Sequence, residues 1–434
     1  MYLKVQTTKK LAGQVVPPSS KSQSIRGIIL ALLSTGKSTL FNPLDSDDMQ
    51  IAIQVCTQLG ASIHIDNDKL IINSTGLPIK TTSQKINTGS SGITTRFIMP
   101  ILGFRADEQP IIVDCSEQMR ARPMQSLVNA LKLLGLNIQY LEQHGSLPAS
   151  ITGQLTGGIV EVDGITSQYL SALLIALPCA PMDSVISVKN LHERPYMEMT
   201  LHWLQKQRIN YQHYRHNASD IYKIPGNQKY QPFDAVIAGD FSSASYIIAA
   251  AVLTTGIIEL DGLDMQDPQG DKRLIYILQD MGANIAIRPQ GLTINGGTPL
   301  QGLKIDANDI PDLLPTLAVI GTYAQGKTEI TNVRQARIKE TDRIHSMVEG
   351  LTRLGARVEE HLDGLTIYNS VLQGTMVQGY DDHRTVMALA LAGMLANGTT
   401  LISDSMAVNK TFPTFVKLMC SLGANMEVVD ACHH

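Results

Sequence analysis

Basic residues stand where helical segments are expected to begin. Lys21 and Arg26 flank the start of SIRGIILALLSTG, Arg96 lies in the first turns of GITTRFIMPILG, and Arg384 opens DHRTVMALALAGMLANG. Arg343 begins the amphipathic segment DRIHSMVEGLTRLG, just after Lys339 and Glu340. Arg120 and Arg122 precede Pro123, which suits the first position of a helix in MRARPMQSLVNALKLLG. A helix N-terminus carries partial positive charge and unsatisfied amides, so a cation there is unfavourable unless an anion joins it. One such residue is ordinarily a surface cation with a local partner. Recurrence at matching places argues instead for a strongly anionic ligand, a phosphate or a carboxylate. Ser22, Ser91 and Ser167 suit N-caps, Thr341 is expected to cap the KETDR segment, and Asp312 is favourable at a helix start.

The elements that position these residues repeat. Glycines open an alternating strand in LGASIHI, LGLNIQY, MGANIAI, LGARVEE and LGANMEV, at Gly60, Gly135, Gly282, Gly355 and Gly423. The 147-residue step from Gly135 to Gly282 is twice the others and leaves room for one more copy near KQRINYQHY, where Arg208 and Ile209 occupy the glycine region. A second phrase, a polar cluster opening an almost wholly apolar helix, recurs at Ser22, Ser91, Ser167, Ser243, Asp312 and Asp382, in steps of 69, 76, 76, 69 and 70 residues. A helix apolar on all sides is buried. Gly36, Gly256, Gly326 and Gly398 follow these helices and are expected at the left-handed C′ position. Six copies of strand, helix, strand and buried helix imply an α/β protein of two lobes, three units each, with buried helices inside and sheets around them. The Pro/Gly/Gln/Asn-rich stretch YKIPGNQKYQPFDAVIAGD marks the boundary, and Pro17–Pro18 a second breakpoint.

Composition removes several function classes. The 434 residues include 35 Lys+Arg against 39 Asp+Glu, a net charge of −4 that gives no general nucleic-acid footprint. No apolar run reaches the roughly 18 residues of a membrane span, and the first residues lack the apolar stretch of a secretory signal. Five cysteines (Cys56, Cys115, Cys179, Cys420, Cys432) never stand as CxxC, so neither a disulfide framework nor a zinc knuckle is expected. These features place the chain in the cytoplasm. The closing ACHH reads as the remnant of an appended tag. GTYAQGKT, from Gly321 to Thr328, matches the phosphate-loop pattern but follows a helix and leads into a strand, the reverse of what that loop requires. STGKST at Ser34 sits at the same place in its unit, and both read as helix-ending turns.

PPSSKSQSIR, GSSGITTR, RARPM, TSQYLSALLIALP, ERPYMEMT, GDFSSASY, IPDLLPTLAV, RIKETDR, DDHRTVMALA and NKTFP occur in this order from about Lys4 to Val428. Together they make the chain similar to the 5-enolpyruvylshikimate-3-phosphate synthase family. The resemblance implies two lobes, each of three βαβαββ units in an inside-out α/β barrel, with the active site in the interlobe cleft. It implies an N-terminal lobe of residues 21–237 holding mainly shikimate 3-phosphate. Residues 1–20 plus 238–434 would form the C-terminal lobe, with the phosphoenolpyruvate and catalytic residues. It further implies a monomer that needs no cofactor or metal, with those two small molecules as its partners.

The same resemblance assigns residues. Lys21, Ser22, Arg26, Thr166, Ser167, Gln168, Tyr196, Asp312, Gln335 and Lys339 would hold shikimate 3-phosphate. Lys21, Gly92, Arg122, Gln168, Arg343, His383, Arg384 and Lys410 would surround phosphoenolpyruvate. Asp312 is the implied base at the 5-hydroxyl and Glu340 the acid at the methylene carbon, with Lys21 assisting at the bridging oxygen. The chain departs from the family pattern at several points. Ser90 and Ile93 stand where Asn and Thr are usual, Thr166 where Ser is common, Gln335 where Asn is common, and Glu193 where Ser is common. Ile93 is expected to alter how the pocket accepts bulkier phosphoenolpyruvate analogues such as glyphosate. A carboxylate at Glu193 would repel the shikimate phosphate, which moves that contact to Arg194 or Tyr196.

Two rival readings remain at this stage. A sister enolpyruvyl transferase acting on UDP-N-acetylglucosamine carries a reactive cysteine shortly before an equivalent Arg-Pro. Cys115 lies seven residues before Arg122, but its flank DCSEQMRARP resembles the shikimate enzyme's loop. A non-catalytic anion-binding protein is the other; the joint presence of Asp312 and Glu340 disfavours it. The run Asp381-Asp382-His383 contains metal-ligating residue types, but the following Arg384 suits an anion better.

Overall fold

The computed structural model describes residues 1–430; Cys432 and the closing ACHH lie outside them. The chain forms two compact units, one of Lys21–Ile237 and one of Met1–Ser20 together with the chain from Ala238 on. Each contains three separate four-stranded sheets, and none of the six closes into a barrel among the described residues.

One repeat shows the plan. Strand Ile159–Asp163 leads into helix Ser167–Ala176, then strand Ser184–Lys189, helix Arg194–Lys206, and the hairpin Gln212–His216 and Ser219–Ile224. The first two strands pair in parallel, as a helical crossover requires, and the hairpin adds antiparallel strands. The other five sheets have the same order, but three borrow a strand from elsewhere in the chain. Asp234–Val236 pairs with Thr35–Phe41, Gly13–Val15 with Ile257–Asp261, and Tyr2–Gln6 lies between Thr399–Ile402 and Asn425–Val429. The repeat therefore contains two strands more than the hydrophobic pattern reveals: a short opening strand of two to five residues, and the second arm of the hairpin.

The first helix of every repeat is enclosed. All residues of Gly92–Ile101 are buried. So are all of Ser167–Ala176 except Gln168, all of Phe241–Leu253 except Leu253, and all of His383–Leu395 except Leu395. The second helix is amphipathic and buries only a stripe, as Asp47–Gln58 does with Met49, Ala52, Val55 and Cys56. Each unit has its own apolar core, built on its three enclosed helices.

Turn geometry accounts for the recurring glycines. Gly60, Gly135, Gly282, Gly355 and Gly423 have φ between +92° and +108°. Arg208 takes the sixth place with φ +57°, a left-handed conformation that its Cβ makes costly. Gly256, Gly326 and Gly398 also have positive φ, but they stand one residue beyond the expected C′ position, because the helices cap at Thr254, Ala324 and Ala396. Gly321–Thr328 is a helix end, a turn and the start of strand Lys327–Thr331, and the Lys327 ammonium pairs with Glu329.

Candidate active-site residues

In the unit Lys21–Ile237, three enclosed helices begin at hydroxyl-bearing or cationic residues. Lys21 starts helix Lys21–Leu33, and its Nζ lies 2.9 Å from Asp48 Oδ2. Ser22 is half-buried beside it. Arg26, one turn on, is 1% exposed and points into the unit. Its Nε donates to Thr200 Oγ1 at 2.9 Å, Nη1 to the Ser22 carbonyl at 3.0 Å and Nη2 to the Tyr196 carbonyl at 2.8 Å. Burial pulls its pKa down to about 10 against the opposing effect of Tyr196. Arg26 thus braces Ser22 and Tyr196 from beneath.

The second helix, Gly92–Ile101, is capped by Ser91, whose Oγ accepts from the Thr94 amide. Arg96 and Arg122 converge on Gly92: a Cβ there would lie 2.8 Å from Arg96 Nη1 and 2.7 Å from Arg122 Nη1. Arg96 Nη1 also donates to Gln168 Oε1 at 2.7 Å, which ties the second helix start to the third. Arg96, missing from the residues assigned by resemblance, therefore belongs to this cluster. Ile93 lies in the same first turn and is 9% exposed, while Ser90 Oγ donates to Ser116 Oγ.

Thr166, rather than Ser167, caps the third helix, accepting from the Gln168 amide. The Ser167 amide and hydroxyl both donate to Glu193 Oε2, at 3.1 and 2.9 Å. Arg194 forks onto Asp220 with Nη1 and Nη2 at 3.1 and 2.7 Å, and His213 Nε2 joins the same carboxylate at 2.9 Å. These partners hold the Asp220 carboxyl below its usual range although burial acts the other way. Of the two phosphate partners considered beside Glu193, Arg194 is thereby committed to Asp220. Tyr196 stays half-buried next to Arg26.

The other unit answers its helix starts with carboxylates. Asp240 caps Phe241–Leu253, Asp382 caps His383–Leu395 with the Arg384 amide 2.7 Å from Oδ1, and Asp312 sits in the turn before Leu314–Tyr323. Asp342, not Thr341, caps Arg343–Arg353 through the His345 amide. Arg343 is 1% exposed and distributes its guanidinium over three acids. Nε reaches Asp382 Oδ2 at 2.7 Å, Nη1 Asp312 Oδ1 at 2.8 Å, and Nη2 Glu340 Oε2 at 2.6 Å. Arg384 Nη2 takes the second Asp312 oxygen at 2.6 Å. Burial alone would raise the Asp312 carboxyl, but Arg384, Arg343 and Lys339 outweigh it and hold it well below the usual carboxylate range. The same acids keep Arg343 protonated against its burial.

His383 is 1% exposed, with Nδ1 4.0 Å from Asp382 Oδ1. Lys410 Nζ meets the carbonyl of Asp381 at 2.6 Å and its carboxylate at 2.8 Å. Gln335 is buried and donates to the Asn308 carbonyl at 2.8 Å. The structure thus brings Asp312, Glu340, Arg343 and Arg384 together, with Lys339 near enough to act on Asp312 electrostatically. It adds Asp382 and Asp271, which sequence reasoning did not assign. Asp271 contacts Ser242, and burial together with the nearby Asp312 charge pushes its carboxyl up to about 7. Only its acidic type marks Asp271 in PQGDKRL, so no signal in the sequence singled it out.

Cys115 is a poor nucleophile. Burial, with Asp114 beside it, pushes its thiol up to about 12, above where a reactive thiolate forms. A family model described as EPSP synthase (3-phosphoshikimate 1-carboxyvinyltransferase) matches residues 5–419. The chain belongs to the EPSP synthase family. A 3-phosphoshikimate 1-carboxyvinyltransferase of Acetivibrio thermocellus is 43% identical over 430 residues, covering 99% of this chain and all of that one. Its counterpart in Methanocaldococcus jannaschii is 39% identical over 433 residues, with 99% and 100% covered. Among solved structures, the EPSP synthase of Acinetobacter baumannii has a TM-score of 0.81 at 24% identity, covering 99% and 100% of the two chains. An enolpyruvyl transferase, NikO of Streptomyces tendae, superposes with a TM-score of 0.79 at 16% identity over 98% of each chain. At these identities the two structures speak for the shared EPSP synthase fold. The mixed α/β architecture of six four-stranded sheets is that fold. Among the described residues no helix is long and apolar enough to cross a membrane.

Proposed function

We propose that this chain carries out the family reaction, moving the carboxyvinyl group of phosphoenolpyruvate to the 5-hydroxyl of shikimate 3-phosphate and releasing phosphate, with the following division of labour. The observation that carries it is the contrast in helix starts. Those of unit Lys21–Ile237 present hydroxyls, amides and the Arg96–Arg122 pair, which suit external anions, with one internal carboxylate, Glu193, on the Ser167 start. Those of the other unit are already met by Asp240, Asp312 and Asp382, which suit proton transfer.

Ser22, Thr166, Ser167, Gln168 and Tyr196 hold the phosphorylated acceptor, braced by Arg26, with Gln335 and Lys339 completing its contacts. Lys21, Arg122, Arg343, Arg384, His383 and Lys410 take the phosphate and carboxylate of phosphoenolpyruvate, and Gly92 makes room for them. Asp312 accepts the 5-hydroxyl proton as that oxygen attacks C2, and Glu340 protonates the methylene carbon. In the elimination Glu340 takes the proton back from the methyl group, phosphate leaves with the C–O bonding pair, and Lys21 neutralises the charge developing on the bridging oxygen. The proton that Glu340 delivers must sit on the carboxyl oxygen other than the one bound by Arg343. Asp312 is a weak base while Arg343 and Arg384 hold both its oxygens. When the guanidiniums turn their donors to the substrate carboxylate, Asp312 gains basicity at the moment it is needed. The enzyme works in the cytoplasm, as a monomer and without a metal or other cofactor.

The test is phosphate release with shikimate 3-phosphate and phosphoenolpyruvate, no metal added. Turnover with both substrates, and none when UDP-N-acetylglucosamine replaces the shikimate, is the expected result. Turnover with the nucleotide sugar instead would give the chain to the sister activity, despite the high pKa of Cys115. Release with neither acceptor would leave an anion-binding protein.

A further inference from the structure

In the unit Lys21–Ile237 one helix start differs from its neighbours. Helix Ser167–Ala176 is enclosed, and its first amide is met by a carboxylate of the same chain: Glu193 Oε2 accepts from Ser167 N at 3.1 Å and from Ser167 Oγ at 2.9 Å. Glu193 is 2% exposed. Its backbone is left-handed, with φ +56° and ψ +41°, a conformation that a residue with a long side chain adopts at a cost. The backbone is also anchored, since the Tyr196 amide donates to the Glu193 carbonyl at 3.0 Å. The carboxylate can therefore leave Ser167 by side-chain rotation alone.

We propose that Glu193 is an internal anion that the substrate's phosphate must displace from Ser167, making it a determinant of acceptor affinity. This rests on the reading that Thr166, Ser167, Gln168 and Tyr196 hold that phosphate. A serine hydroxyl has one proton to donate, and here it is given to Glu193. A phosphate oxygen can replace the carboxylate at that donor but cannot share the proton with it. A carboxylate left within reach of the phosphate repels it. Both effects fall on binding of the phosphorylated acceptor rather than on the chemical step, and neither touches an acceptor without phosphate.

The experiment compares the full-length wild-type protein with Glu193→Gln, Glu193→Ala and Ser167→Ala. Calorimetric affinities for shikimate 3-phosphate and shikimate would be measured, with KM and kcat for both substrates. Glu193→Gln keeps the size and an acceptor oxygen, so the helix start stays capped. It should tighten shikimate 3-phosphate about tenfold, the scale of one charge-assisted hydrogen bond regained, with unchanged affinity for shikimate; the gain should appear in KM for the acceptor and not in kcat. Ser167→Ala should weaken shikimate 3-phosphate in the wild-type background. If Ser167→Ala leaves that affinity unchanged, the phosphate is not held at this helix and the underlying site reading fails. If Ser167→Ala weakens binding but Glu193→Gln does not tighten it, the internal-anion proposal alone is overturned. Equal weakening of both acceptors in Glu193→Gln and Glu193→Ala, with a lower melting temperature, would make Glu193 a helix cap and likewise overturn it.

Discussion

Replacing Arg343 by lysine keeps the charge and removes the fork. In the native arrangement three guanidinium nitrogens reach three different carboxylates, Asp382, Glu340 and Asp312, at 2.6–2.8 Å. A lysine head is a compact point charge that can stay at that distance from one of them. Two charge-assisted hydrogen bonds, at roughly 1.5 kcal/mol each at the low end, make the expected loss about 3 kcal/mol. The site is 1% exposed, so water offers little compensation. The loss should depend on pH with a definite sign. Asp312 has a depressed folded-state pKa, so it contributes stability that is fully present above the unfolded value, about 3.9, and is lost as pH falls through the folded one. The Arg343→Lys substitution would let that folded value rise, so the gap between parent and variant should be complete at pH 7.5 and should narrow progressively as pH falls below about 4. Urea-dependent hydrogen exchange read by mass spectrometry checks both points. Helices Arg343–Arg353 and His383–Leu395 should open more readily, while Lys21–Leu33, in the other unit, serves as the reference. Opening energies within 1 kcal/mol of the parent at pH 7.5, or a gap that widens on acidification, would refute the idea that one guanidinium holds the three acids together.

Glu340→Gln should keep both substrates bound by calorimetry while turnover falls by roughly 10²–10⁴-fold, the usual contribution of a positioned acid; near-normal turnover would remove its role. Gly92→Ala should leave the melting temperature nearly unchanged, because the atoms its Cβ meets are the tips of Arg96 and Arg122. It should raise KM for phosphoenolpyruvate about tenfold by displacing those tips, at roughly the energy of one charge-assisted hydrogen bond. Arg208→Gly should stabilise the protein by about 1 kcal/mol by relieving a left-handed side-chain-bearing residue, seen as a higher denaturation midpoint; a lower one would mean that the Arg208 side chain contributes more than its backbone costs.

Much of the fold could be read from the chain because its signals are local and repeated. A glycine that must take positive φ, followed by an alternating strand, reports a helix-to-strand turn wherever it occurs, and five copies made the sixth visible at Arg208 despite the altered residue. An apolar helix with a polar first turn reports its own burial. The opening strands were not legible, since Lys85–Asn87 and Lys304–Asp306 are only three residues long, too short to show alternation. Cap identity was legible only to within a residue, as Thr341 against Asp342 and Ser167 against Thr166 show. The cations that sequence spacing singled out lie at helix starts, but their acidic partners did not declare themselves. Arg343 meets Asp382 across 39 residues and Arg384 meets Asp312 across 72, pairings that only the packing of two successive repeats creates.

The placement of strand Tyr2–Gln6 has a consequence for biosynthesis. Its neighbours on both sides, Thr399–Ile402 and Asn425–Val429, leave the ribosome only after the other two sheets of its unit and all of Lys21–Ile237. The strand must wait, unpaired, until both have been made. The 217 residues from Lys21 to Ile237 carry all the strands of their own three sheets, and can close them while translation of the remainder continues.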